Sequence, residues 1–187
     1  MIAFLDKIAD RLLNKFPVSM EGVAVVLPSK RAVVFLKHYL SQKIKQPIFL
    51  PDFYSIEEFT EKLSGLTVLD NISLQFKLYQ SYLALPPKRI DSFDNFLSWS
   101  NVLLHDFNEI DRNLVDAESI YTNLKNVKVL EDWSVDNWSL AEDNLSNMQL
   151  DYISFFEGML GWYTHFNDSL LEEQLAYQGM AYNFAAK

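Results

Sequence analysis

Val23-Ala24-Val25-Val26-Leu27-Pro28-Ser29-Lys30-Arg31-Ala32 decides the fold class of this 187-residue chain. The apolar run at its start is rich in β-branched residues and reads as a short buried strand. The turn Pro28-Ser29-Lys30-Arg31 then feeds Ala32–Leu40, where Val33, Leu36 and Leu40 recur at helical spacing. A strand running straight into a helix is half of a parallel-sheet unit. Working outward, Ile2, Leu5, Ile8/Ala9, Leu12 and Phe16 predict a helix that ends before Pro17. Pro47-Ile48-Phe49-Leu50-Pro51 reads as a second strand bracketed by prolines. Ser55, with Glu58 three residues later, forms a capping box for a helix through Phe59 and Leu63, and Gly65 closes it. Two strands make a poor sheet. Either a third strand is hidden, or further chain completes it.

Proline divides the sequence. All six prolines lie in the first 87 residues, and only Gly158, Gly161 and Gly179 interrupt the rest of the chain. The expected organisation is therefore an α/β part over residues 1–66 and a helical part over 67–187. Ile72, Phe76, Tyr79/Gln80 and Leu83 mark one helix, ended by Pro86-Pro87. Phe93, Phe96/Leu97, Leu103/Leu104, Phe107 and Ile110 mark a long one behind Ser92 as N-cap. Asp116 caps a shorter helix through Ile120 and Leu124. Residues 127–144 carry Asp132, Ser134, Asp136, Asn137, Asp143 and Asn144 without a period and read as an irregular acidic excursion. Leu150, Ile153, Phe156/Glu157, Leu160 and Tyr163/Thr164 mark another helix, and Leu171, Leu175, Gln178 and Tyr182 a last one. That last pattern reaches Lys187 with no terminating signal. With the under-stranded sheet, it leads us to expect the leading piece of a longer protein.

Composition narrows the function. The chain is 49% hydrophobic and 22% charged, which is globular. It has no cysteine and three histidines (His38, His105, His165), so a cysteine nucleophile, disulfides and a histidine-rich metal centre are not expected. Residues 1–50 carry a net charge of +5 and residues 51–187 one of −14, within the total of −9. This asymmetry suggests two surfaces with different partners. No apolar run is long enough to span a bilayer, and the N-terminus meets Asp6 and Lys7 too early for a secretory signal. The expected compartment is the cytoplasm.

A strand–turn–helix is where phosphate-binding loops sit, and such loops need glycines so that backbone N–H groups can wrap the phosphates. No glycine lies between Gly22 and Gly65. No nucleotide site is therefore expected at the turn. Lys30 and Arg31, at the positive end of a helix, suit a weaker phosphate contact; the competing reading is a pair of solvated cations. Pro51-Asp52 resembles the first half of a PD-(D/E)XK nuclease motif, whose second half needs an acid two residues before a lysine. None of the twelve lysines has one. Asp106, Glu109 and Asp111 form the densest carboxylate cluster and read as a solvated face or as salt-bridge partners. No catalytic residue and no metal ligand is assigned. The many aromatic residues read as core, with one or two of Trp99, Trp133, Trp138 and Trp162 available for an interface.

Four segments together resemble the N-terminal region of AddB-type PD-(D/E)XK proteins, the nuclease-bearing subunits of helicase–nuclease recombination machines, in their Bacteroidetes-like branch. They are Val25–Ala32, Pro47–Pro51 leading to Ser55-Ile56-Glu57-Glu58-Phe59, Leu103–Asp111 continuing to Leu114-Val115-Asp116-Ala117, and Tyr177–Tyr182. The resemblance implies a degenerate P-loop, helicase-like α/β fragment followed by a helical subdomain. It implies a longer parent with a C-terminal, magnesium-dependent exonuclease domain outside this chain. It also implies single-stranded DNA near Phe53-Tyr54-Ser55, although Ser55 already has an explanation as a cap.

The resulting expectation is a non-catalytic module of a double-strand-break repair subunit that serves DNA binding and assembly. Lys30, Arg31, Tyr54 and Ser55 are the possible DNA or phosphate contacts. No cofactor is expected for this chain alone. Single-stranded DNA and a helicase partner subunit are the expected partners, with the piece itself a monomer. The alternative is a free-standing acidic helical protein-interaction domain.

Overall fold

The computed structural model describes residues 3–87, 89–123 and 147–187. The chain divides into two units between Leu63 and Ser64. The first is α/β and the second is almost wholly helical.

In the first unit, α1 (Phe4–Lys15) and α2 (Lys30–Lys43) pack on one another, and α2 packs on strands β1 (Ala24–Leu27) and β2 (Asp52–Ser55). The strands are parallel, with Val25 opposite Phe53, Val26 opposite Tyr54 and Leu27 opposite Ser55. Val33, Leu36 and Leu40 of α2 bury against Ala9, Met20 and Leu27, with Val25 and Phe53 packed alongside. Lys43 pairs with Asp6 at 2.8 Å and Asp10 at 2.5 Å and ties α2 to α1. Helix α3 (Ile56–Ser64) follows β2 directly, and Gly65 at φ +70° ends it in the left-handed conformation that lacks a steric penalty only for glycine.

Two expectations for this unit need correction. The second strand lies at 52–55 and not at 47–51. Phe49 and Leu50 are 69% and 45% exposed. Neither Pro47 nor Pro51 has an N–H to give to a ladder. Instead Met20 N–H donates to the Phe49 carbonyl and Asp52 N–H to the Val23 carbonyl, which sets the register one step later. The first strand is also not buried on both faces. Ala24 is exposed and Val26 is 39% exposed, while Leu27 is buried. Its apolar run reflects one covered face and one open one.

The second unit contains β3 (Thr67–Val68), α4 (Asn71–Ala84), α5 (Phe93–Arg112), α6 (described over 117–123), α7 (Asn147–Glu172), β4 (Leu175–Ala176) and α8 (Gln178–Ala186). Asp70 caps α4, Ser92 caps α5, and Asp116 accepts the Ser119 N–H at the start of α6. The core gathers Leu78, Tyr82, Phe96, Phe107, Trp162 and Phe166. The Tyr82, Phe96 and Trp99 rings meet at 4.8–5.8 Å, and the buried Trp162 indole N–H donates to the Leu85 carbonyl at 2.8 Å.

The helical expectation over 67–187 overlooked β3 and β4, which pair in parallel, Thr67 with Leu175 and Val68 with Ala176. The expected stripe Leu171–Tyr182 is therefore broken. Gln174 turns at φ 57°, β4 comes next, and α8 starts only at Gln178. Helix α4 buries Leu74, Leu78, Ser81 and Tyr82 and not the stripe read from sequence; Ile72, Phe76 and Leu83 are 67%, 54% and 44% exposed. The irregular reading of 127–144, with Leu124, Trp133 and Trp138, lies outside the described residues. No helix among the described residues is long and apolar enough to cross a membrane.

Candidate functional site

Because β1 and β2 are parallel and end in register, Leu27 beside Ser55, helices α2 and α3 both start from the same sheet edge. The carboxyl edge of parallel strands is where α/β folds place ligands. At α2, Ser29 is extended and its Oγ accepts the Ala32 N–H at 3.3 Å. At α3, the capping box read from the sequence is present. Ser55 Oγ accepts the Glu58 N–H at 3.2 Å, and Glu58 Oε2 accepts the Ser55 N–H at 2.9 Å.

The second carboxylate oxygen joins the two helices: Lys30 Nζ lies 3.2 Å from Glu58 Oε1. The Ser55 N–H first, and Lys30 second, hold the Glu58 carboxyl below its ordinary range. A backbone N–H at a helix start and a lysine are what an external phosphate would seek. Here Glu58 occupies that anion position from within the chain.

The four sequence-derived site residues thus meet at one edge with unequal freedom. Lys30 is held by Glu58 but its side chain is 74% exposed. Arg31 is exposed and its guanidinium lies 5.6 Å from the Phe35 ring centroid. Tyr54 is half-buried, its hydroxyl accepts from Lys62 Nζ, and its ring lies near Phe59. That contact raises the Lys62 pKa. Ser55 is fully buried with both its N–H and Oγ engaged by Glu58, so it has no surface to offer DNA. Glu58 and Lys62 are the members sequence reading did not include. The capping box pointed to Glu58, but its second oxygen facing Lys30 depended on strand register.

A different polar centre lies in the helical unit. Asp111 of α5 is only 4% exposed. Its Oδ1 accepts from the Tyr163 hydroxyl at 2.7 Å and from Asn183 Nδ2 at 3.0 Å, and its Oδ2 accepts from the Tyr177 hydroxyl. The expectation of a solvated or salt-bridged Asp106–Glu109–Asp111 cluster fails at Asp111 alone, since its oxygens hold α7 and α8 to α5. Asp106 is exposed, and Glu109 faces Asn113 and Arg112. Burial first, then Asp111, pushes the Tyr163 and Tyr177 hydroxyls far above the ordinary tyrosine range. They are protonated donors at neutral pH. A cavity of about 580 Å³ opens beside Asp111 and Tyr163, lined also by Leu114, Asp116, Thr164 and Asn183. Among the described residues no set of three His, Asp or Glu side chains is placed to hold a metal ion.

No protein-family model, curated protein or solved structure matches this chain.

Proposed function

We propose that this chain is a non-catalytic, helicase-like module of an AddB-type DNA-repair subunit, acting in the cytoplasm in DNA binding and assembly with a helicase partner subunit. Its α/β unit is read as a degenerate P-loop core whose sheet edge lies along the backbone of single-stranded DNA. The observation that supports this reading most is the Lys30–Glu58 pair at that edge. Two helix starts and a cation beside parallel strands are parts that a phosphate site uses, and here the Glu58 carboxylate takes the Ser55 N–H and Lys30 that a phosphate would need. An edge of this kind suits a scaffold that touches phosphates loosely through Lys30, Arg31 and the ring of Tyr54. Magnesium chemistry belongs, in this reading, to the parent's nuclease domain.

Titration of oligo-dT against the full chain at low salt, read by fluorescence anisotropy, tests the DNA half. The variant Lys30→Glu/Arg31→Glu should lose affinity and flatten the salt slope, by ~0.7 in log–log units for each phosphate contact removed. Unchanged affinity and slope would remove DNA from this edge.

The acidic protein-interaction domain stands as a second reading, favoured by the outer stripe of α4. Ile72, Phe76 and Leu83 are 67%, 54% and 44% exposed, more apolar surface than a solvated helix face needs.

A further inference from the structure

The outer face of α2 is explained neither by the core nor by the sheet edge. Arg31, Val34, Phe35 and His38 follow the spacing i, i+3, i+4, i+7 and share one helix face. The buried stripe Val33, Leu36 and Leu40 takes the opposite one. All four outer residues are exposed, and Val34 and Phe35 remain 65% and 43% accessible. A helix that only covers a sheet would carry polar residues there.

The charges that α2 itself carries have one sign. Helix α2 contains Lys30, Arg31, Lys37 and Lys43 and no acidic residue. Glu58 pairs with Lys30, and Asp6 and Asp10 pair with Lys43. Arg31 and Lys37 instead lie over the Phe35 and Phe53 rings, at 5.6 and 5.1 Å, and neither has an ion pair among the described residues.

We propose that this face docks an acidic amphipathic segment of a partner protein. Its apolar side chains would cover Val34 and Phe35, and its carboxylates would meet Arg31 and Lys37. The proposal rests on the assembly half of the functional reading and not on the DNA half. Charge complementarity selects the acidic partner. Single strands stack their bases on successive aromatic rings, whereas this stripe offers the lone Phe35 ring beside the aliphatic Val34, so a protein is favoured over a nucleic acid. Arginine is among the side chains that concentrate binding energy in protein interfaces. Being held already, Arg31 loses little freedom on docking.

The test uses the full chain and a displayed library of random short peptides. Enriched peptides are resynthesised with a fluorophore and titrated against the parent chain and Val34→Ser/Phe35→Ser, whose exposed positions should leave the melting temperature unchanged. The expected result is enrichment of peptides with excess Asp and Glu and at least two large apolar residues. Their affinity should fall about tenfold or more in the double variant and weaken as salt rises. Oligo-dT titrated in parallel should lose far less affinity than the peptides do, because Lys30, Arg31 and Tyr54 all remain. Enrichment without acidic excess, or peptide affinity indifferent to the two serines, overturns the proposal. Loss of oligo-dT binding in the double variant with peptide binding unchanged gives the face to DNA and overturns it too. Failure of Lys30→Glu/Arg31→Glu to weaken oligo-dT touches only the DNA half.

Discussion

The Gly179 N–H donates to the Asn108 side-chain oxygen at 2.7 Å, which brings the start of α8 onto the backbone of α5. A β-carbon at Gly179 would stand 2.1 Å from the Asn108 carbonyl oxygen and 3.1 Å from the Arg112 nitrogen. Both obstacles are backbone and cannot turn aside. Only glycine permits this approach, and it positions Tyr177 and Asn183 on either side of it to reach Asp111.

Gly179→Ala should therefore destabilise the helical unit by about 3 kcal/mol, the upper part of the usual overpacking range. Thermal unfolding followed by circular dichroism should show a loss of roughly 2–4 °C for each kcal/mol. An alanine variant that melts with the parent chain would falsify the close approach.

Asp111→Ala should cost about 1–3 kcal/mol, because it takes the acceptor from the half-buried Tyr163 hydroxyl and leaves the Tyr177 hydroxyl with Asn167 alone. Tyr163→Phe removes one donor and should cost about 1 kcal/mol. Urea midpoints at neutral pH measure both. The double variant should cost less than the sum of the two, since the residues share one hydrogen-bond network. Strict additivity would show that Asp111 acts alone.

Alkaline pH should loosen the same centre. The Tyr121, Tyr163 and Tyr177 hydroxyls are all pushed above the ordinary value of 10.0, with burial as the largest cause in each. A pKa raised on folding contributes stability below the unfolded value and loses it as pH rises beyond that value. Above about pH 10 the unfolded tyrosines ionise while the folded ones keep their protons. Each then costs ~1.4 kcal/mol per pH unit, or roughly 4 for the three. Urea unfolding at pH 9, 10 and 11 should show this fall, with a shallower slope in Tyr177→Phe. Constant stability across that interval would contradict the buried hydroxyls.

Glu58→Gln separates the two roles of the glutamate. Glutamine still closes the capping box, so folding should change little. The variant removes the internal anion and releases Lys30. On the proposed function, oligo-dT affinity at low salt should rise about threefold, the size of a single helix-terminus charge effect. If the affinity stays where it was, the Lys30–Glu58 pair has no bearing on phosphate binding.

ATP with magnesium should leave the melting temperature of the chain unchanged, because the Pro28–Arg31 turn has no glycine to wrap a phosphate and Lys30 already pairs with Glu58. A ligand at ~100 times its dissociation constant would add about 2.7 kcal/mol, well within reach of a thermal-shift measurement. Stabilisation by ATP that disappears in Lys30→Ala would reverse the assignment.

The features legible along the chain were local ones. Ser55 with Glu58, Ser92 before Phe93, Asp116 before α6 and Gly65 after α3 could be read as caps, because each links groups a few residues apart in positions set by helix geometry. The stripe Val33, Leu36 and Leu40 could be read for the same reason. Relations across long stretches of chain emerged only on packing. An apolar run between Pro47 and Pro51 resembles a strand, yet hydrogen bonds to Met20 and Val23 move the strand to Asp52–Ser55. Helix α4 is apolar on two sides, so periodicity alone could not tell which side met the core. The two-residue strands β3 and β4 are too short to leave a pattern. Asp111 looks like any surface acid until Tyr177, 66 residues away, delivers its hydroxyl. A carboxylate's chemistry depends on whether water or buried donors surround it, and those donors arrive only through packing.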